Sequence, residues 1–304
     1  MTVALPQAVD LRVPILQERY GLERVRMHYV EAGRGRPILF LHGTPTSSHL
    51  WREILPAAAR HGRAIAVDLI GHGRSEKPAI RYDFEEHVAV LEAAVVALDL
   101  AGAVLVLHDW GGPLGFHHAL TSREPVRAIA AMETFPWRLD WRDFPAAFRL
   151  AFRAFRAPRL GRLLLQRLNL FVDRVMPATA ASGRGISPEA LAVYRSFYPT
   201  PASRRAVRRW PMLLPLDGTE PTAEVIDFIE RRLPSLRVPL LWLAAEPGAI
   251  TTPARIEWLQ ENVPGVMVRR IGPAGHYVQE EVPEQIACEL DAWLPGVLAG
   301  APGR

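Results

Sequence analysis

Residues 103–116 read AVLVLHDWGGPLGF, an apolar run that ends in a carboxylate, Asp109, followed two residues later by the pair Gly111 and Gly112. A buried strand that turns sharply into a helix has this form, because a Cβ at either glycine would collide with the neighbouring backbone. Ligands of an open α/β sheet bind at the carboxyl ends of its strands, so such a turn lifts the side chain of residue 109 into a pocket. An aspartate that only caps the following helix is the plainer alternative.

The text on either side alternates as this reading requires. Val25–Glu31 alternates as an early edge strand, while Pro37–Leu41, Ala64–Asp68, Ala103–His108 and Val126–Met132 are short, apolar and rich in branched residues, as buried strands are. Helical patterns over Leu50–Arg60, Glu85–Leu98 and Pro113–Thr121 separate them. After Glu133 the alternation gives way to aromatic, proline-punctuated helical text up to about Gly218. It resumes with a helix at Ala223–Arg232, a strand at Leu240–Leu243, a helix at Pro253–Asn262, a strand at Val266–Ile271 and a last helix from Glu281; Gly300–Arg304 reads as a frayed tail. The expected fold is α/β, a mostly parallel central sheet flanked by helices. Residues 1–133 and 219–304 form its core and 134–218 an inserted helical cap.

Composition narrows the function. With 49% apolar and 22% charged residues in 304, the chain can bury a large core. Its start has no basic segment, and Pro6 and Pro14 interrupt it, so no signal peptide is expected. The most apolar region, Val88–Leu107, contains Glu92, Asp99 and Gly102, which favours a helix, turn and strand over a membrane span. A lone cysteine, Cys288, forms no internal disulfide, and a cytoplasmic home is the default. The net charge of +4 is uneven: residues 134–218 hold fifteen arginines against five acids. Arg149, Arg153, Arg156, Arg159 and Arg162 fall three or four apart with Phe148, Phe152 and Phe155 between them, as on a helix with one solvated face. Nucleic-acid binding is not expected from such a face.

Three further stretches converge on Asp109. In the elbow pattern G-x-S-x-G the nucleophile is serine; here aspartate takes its place and Leu107 replaces the first glycine. LHGTPTSSHLW (41–51) follows the strand at Pro37, so the backbone N–H groups of Thr44 and Trp110 are candidates for one oxyanion hole. VDLIGHGRSEKP (67–78) shapes the pocket rim. GPAGHYVQEE (272–281) puts His276 on a loop after the last strand, where the general base belongs. Two carboxylates at strand ends qualify as its partner, Glu133 and Glu246. Glu246 is displaced from its strand end by two alanines, so Glu133 is preferred.

These motifs, in this order, resemble those of the haloalkane dehalogenases: HGTPTSSHLW, DLIGHGRSEKP, HDWGG, AAMETF and GPAGHYVQEE, with NLFVDRVMP and DAWLPG similar too, over nearly the whole chain. The resemblance implies an α/β-hydrolase core with a helical cap, no metal or organic cofactor, and cleavage of carbon–halogen bonds by water. Its nearest subgroup carries the acid after the sixth core strand, at Glu133. The family's second halide donor is an Asn just after the HG pair, and here that position is Thr44, whose hydroxyl reaches less far than an amide. Trp141, Phe144, Phe152, Phe171, Pro211 and Leu214 align with the family's apolar pocket lining. The implied partners are a haloalkane, water and the halide product, with neither nucleic acid nor membrane; the oligomeric state is not legible.

The residues carry the same chemistry without the family. A carboxylate displaces halide from an sp³ carbon and becomes an ester, which water activated by His276 reopens. A serine would form an ether that water does not reopen. The departing halide needs N–H donors, because ionised Asp109 and Glu133 donate nothing. Trp110, beside the nucleophile, offers its indole. Three other readings share these features. An epoxide hydrolase uses the same elbow and ester, with Tyr194 and Tyr198 as donors, but has an aromatic residue at position 44 and an Asp after Leu240–Leu243. A luciferase-like, cofactor-free oxygenase has a similar triad. A non-catalytic ligand-binding protein on this scaffold is opposed by the intact Asp109, Glu133 and His276.

Overall fold

The apolar runs assemble into one eight-stranded sheet in the order β1-β2-β4-β3-β5-β6-β7-β8. The strands are β1 (Leu5–Leu11), β2 (Val25–Ala32), β3 (Pro37–Leu41), β4 (Arg63–Val67), β5 (Val104–Asp109), β6 (Ala128–Thr134), β7 (Leu240–Pro247) and β8 (Met267–Ala274). The computed structural model describes residues 5–123, 125–181 and 184–300. Of the expected frayed tail, all but Gly300 lies outside them; the Gly300 carbonyl accepts a hydrogen bond from the Arg127 guanidinium. From β4 across to β8 neighbouring strands are parallel, while β2 runs antiparallel to both β1 and β4. The middle strands β5 and β6 are buried at every residue, which is why they read as unbroken apolar runs rather than as alternation.

Three expectations are corrected. Val25–Glu31 is not the edge of the sheet, because β1 pairs outside it; Pro6 disguises β1 in the sequence but is tolerated on an edge strand. The helix expected over Leu50–Arg60 is two short turns, Ser48–Trp51 and Leu55–Ala58. Pro56, which has no N–H, sits in the first turn of the second piece and cannot lie inside a continuous helix without a cost. The last helix is also divided, into Val278–Glu281 and Pro283–Ala299.

Between β6 and β7 the chain forms helices at Ala146–Arg156, Pro188–Ser196 and Arg205–Leu213, with two wide π-type turns at Arg162–Arg167 and Phe171–Val175. The arginine run does not share one helix. Ala157 is extended before Pro158, so Arg159 and Arg162 begin another segment. Phe152 and Phe155 face the core, and Arg153, Arg159 and Arg162 are exposed. Arg156 is not on a solvated face: it reaches Asp217 at 2.9 Å and Glu220 at 2.5 Å. Among the described residues no helix is long and apolar enough to cross a membrane.

Candidate active site

β5 ends at Asp109 with φ +50, a left-handed backbone that a non-glycine residue holds only when its surroundings enforce it. Those surroundings are tight. A Cβ at Gly111 would lie 2.2 Å from the Leu41 carbonyl oxygen, one at Gly112 1.7 Å from Thr134 Oγ1, and one at Gly43 1.8 Å from Asp109 Oδ1. The Thr134 hydroxyl donates to the Asp109 carbonyl at 2.6 Å and pins the turn from β6. The glycine pair is therefore the cost of bringing this carboxylate to the strand end.

The two oxygens of Asp109 have different neighbours. Oδ1 accepts from the Thr44 backbone N–H at 2.9 Å, and Oδ2 faces His276 Nε2 at 3.3 Å. Burial alone would raise the carboxyl's pKa, but the hydrogen bond and charge of His276, with a hydrogen bond from the Trp110 backbone, hold it below the ordinary value. Of the two backbone groups expected of the oxyanion hole, the Thr44 N–H makes the direct hydrogen bond to this carboxylate.

His276 sits on a loop fastened at several points. Its N–H donates to the Thr179 carbonyl at 3.2 Å, and a Cβ at Gly275 would lie 1.8 Å from that same oxygen. The Glu281 carboxylate accepts from Gly275 N at 2.8 Å and from Ala181 N at 2.9 Å. On the far side of the ring, Nδ1 lies 3.5 Å from Glu133 Oε2, longer than a direct hydrogen bond. Glu133 is held by backbone: Oε2 accepts from Ala249 N at 2.9 Å and Ile250 N at 3.0 Å, and φ at Glu133 is +42. Burial would lower the pKa of His276, yet its contacts with Asp109 and Glu133 outweigh that and raise it to about 9. The other candidate acid is elsewhere. Glu246 is exposed and paired with Arg270.

A cavity of about 770 Å³ opens over this group. Thr44, Asp109, Trp110 and His276 line its floor, while Phe144, Phe152, Phe171, Pro211 and Leu214 line its walls as expected. Trp141 does not: its indole donates to Asp217 at 2.7 Å, and Arg153 and Arg156 lie over its ring. Sequence reasoning missed Phe148, Phe155 and Tyr277 as lining residues. The spacing of Phe148, Phe152 and Phe155 along the Ala146–Arg156 helix was the available signal. Tyr194 and Tyr198 stay out of the cavity, their hydroxyls donating to Glu280 at 2.5 Å and to the Pro45 carbonyl at 3.0 Å.

Trp110 is packed between Trp210 and Phe135, with ring centroids 4.3 and 4.9 Å away, and its indole N–H has no hydrogen-bond partner among the described residues. The Thr44 hydroxyl lies 3.2 Å from His72 Nε2 on the rim loop. That loop is organised by buried Asp68, which accepts from Ser48 N at 2.6 Å and Arg74 N at 2.7 Å. No group of three or more His, Cys, Asp or Glu among the described residues is arranged to hold a metal.

A family model for the alpha/beta hydrolase fold matches residues 36–283. A haloalkane dehalogenase of Mesorhizobium japonicum is 40% identical over 277 residues, covering 90% of this chain and 89% of the relative. Another, from Sphingobium indicum, is 40% identical over 278 residues, covering 88% and 92%. Among solved structures, the haloalkane dehalogenase DbeA from Bradyrhizobium elkani matches with a TM-score of 0.89 at 35% identity, over 98% of this chain and 100% of that one. DatA from Agrobacterium tumefaciens matches with a TM-score of 0.86 at 37% identity, over 96% and 97%.

Proposed function

Because this chain belongs to the haloalkane dehalogenases of the α/β-hydrolase fold, and so converts a haloalkane and water to alcohol and halide, we propose that Asp109 is its nucleophile, His276 its base and Glu133 the acid that orients the base. One observation carries the assignment. At the floor of an apolar cavity, one oxygen of a single carboxylate is tied to backbone N–H and the other is turned toward a buried histidine.

In the first step Oδ2 of Asp109 attacks the halogen-bearing carbon. The carbon–oxygen bond forms as the carbon–halogen bond breaks, and the halide leaves with the bonding pair. Trp110 receives it, since an indole N–H with no other partner is a donor whose hydrogen bond strengthens as charge develops. The apolar walls bind the alkyl chain and keep the halide poorly solvated elsewhere.

The second step follows from the electrostatics of the first. The charge of Asp109 is one of the two supports that raise the His276 pKa, and alkylation removes it. His276 then gives its proton to solvent and becomes a base at neutral pH. It takes a proton from water as the oxygen attacks the ester carbonyl carbon. The developing oxyanion is Oδ1, already beside the Thr44 N–H, so no donor has to reorganise. Collapse releases the alcohol, restores the Asp109 carboxylate, and leaves the proton on His276. Glu133 steadies the imidazolium throughout.

We treat residues 134–218 as the cap that encloses this site and the remainder as its core, with a cytoplasmic setting. The epoxide-hydrolase reading loses support because Tyr194 and Tyr198 spend their hydroxyls outside the cavity. The test is release of halide and alcohol from 1,2-dibromoethane and 1-iodobutane beside an epoxide panel. Equimolar halide and alcohol with no diol is the expected result. Diol formation without halide release from either haloalkane would overturn the reading.

A further inference from the structure

A second concavity, of about 420 Å³, lies outside the active site, and five of its lining residues are arginines: Arg81, Arg162, Arg205, Arg208 and Arg209. Asp83 answers two of them, accepting from Arg81 Nε at 2.9 Å and from Arg209 Nε at 3.0 Å. Arg162, Arg205 and Arg208 have no carboxylate partner among the described residues. Arg208 is the most confined. One of its terminal nitrogens donates to the Pro158 carbonyl at 3.2 Å, while its Nε is buried with no hydrogen-bond partner. Burial, with the nearby charges of Arg162 and Arg209, lowers its pKa below the ordinary value. Tyr82 adds no donor of its own, because its hydroxyl donates to the Pro78 carbonyl at 2.6 Å.

Like charges gathered in one concavity repel each other, and Arg162 and Arg205, with no carboxylate to answer them among the described residues, line it with guanidinium groups that an anion would pair. We infer that this concavity binds a small phosphate-bearing polyanion, with Arg162, Arg205 and Arg208 as its ligands. Guanidinium groups match the oxygens of a phosphate in pairs, which a set of three around one recess exploits more fully than a single exposed arginine does. The volume suits a molecule of metabolite size rather than a polymer. The ligand also has a structural effect. Arg205, Arg208 and Arg209 stand on the Arg205–Leu213 helix, whose Trp210 packs against Trp110, so relieving their repulsion stabilises that helix in place.

Inorganic pyrophosphate is the probe. Titrated into the full chain by calorimetry, it should bind with one-to-one stoichiometry. At saturation it should raise the melting temperature by roughly 5 °C over sodium acetate of equal ionic strength. Arg205→Gln combined with Arg208→Gln should weaken binding at least tenfold and abolish the thermal shift. Arg162→Gln, at an exposed position, should weaken binding also and serves if the double variant does not fold. Arg149→Gln with Arg153→Gln, outside the concavity, should bind as the parent does. No binding by the parent, or equal binding by all variants, would overturn the proposal.

Discussion

The Thr44 hydroxyl donates its proton to His72 rather than to the cavity. His72 Nδ1 lies 3.3 Å from the Ile70 carbonyl, which only accepts, and burial holds the His72 pKa well below its ordinary value, so the neutral ring carries its proton on Nδ1. Nε2 is then bare, and the Thr44 hydroxyl at 3.2 Å is its donor. Thr44 stands where the resemblance calls for a halide-binding amide, and in this arrangement only its backbone N–H serves the reaction.

Two substitutions test this. Thr44→Val should change bromoalkane turnover by less than about threefold, yet destabilise the fold by ~1–3 kcal/mol because His72 Nε2 loses its buried partner. Thr44→Asn introduces an amide donor and should raise turnover roughly tenfold, since ~1.4 kcal/mol of added stabilisation of the departing halide is one decade in rate. Steady-state kinetics and chemical denaturation measure both. A tenfold loss of turnover in the valine variant would return the hydroxyl to the halide.

The acid can be assigned by a paired substitution. Glu133→Gln keeps the backbone contacts of the side chain in part but removes the charge behind His276, and should lower turnover by about 10²–10⁴. Glu246→Gln, at an exposed residue paired with Arg270, should change turnover by less than about twofold. The opposite ranking would move the acid to β7.

Stability should carry the signature of His276. Its folded pKa, about 9, lies above the ordinary 6.5, so the stabilisation it contributes is fully present below pH 6.5 and is lost as pH rises to about 9. The loss is on the order of 2–3 kcal/mol. Removing the neighbouring charge by Asp109→Asn should flatten this dependence, and denaturant titrations at pH 6 and pH 9 compare the two proteins. Equal losses in parent and variant would mean that Asp109 does not support the imidazolium.

The elbow was legible because Asp109, Gly111 and Gly112 are adjacent in sequence and each answers a constraint at the same turn. The places of His276 and Glu133 near Asp109 were legible from the logic of strand ends, which a parallel sheet makes regular, although that logic alone also admitted Glu246, which lies near the end of β7. Other features depend on partners that no local pattern announces. β1 was hidden by Pro6, which only its edge position excuses. Trp141 shares the aromatic character of the pocket walls, but Asp217, far along the chain, draws its indole away. The pairing of Thr44 with His72 arises because the loop after β4 folds back over the loop after β3. The arginine concavity gathers side chains from three separated segments and has no local signature at all.

The ester on Asp109 is the central claim, and trapping it is the most direct measurement. His276→Phe leaves Oδ2 able to attack but removes the base that activates water, so the variant incubated with 1-iodobutane should release one equivalent of iodide and stop. Mass spectrometry of its digest should then show one butyl group on the peptide that contains Asp109. A folded variant that releases no iodide and carries no adduct, or one that carries the butyl group on another peptide, would contradict the account.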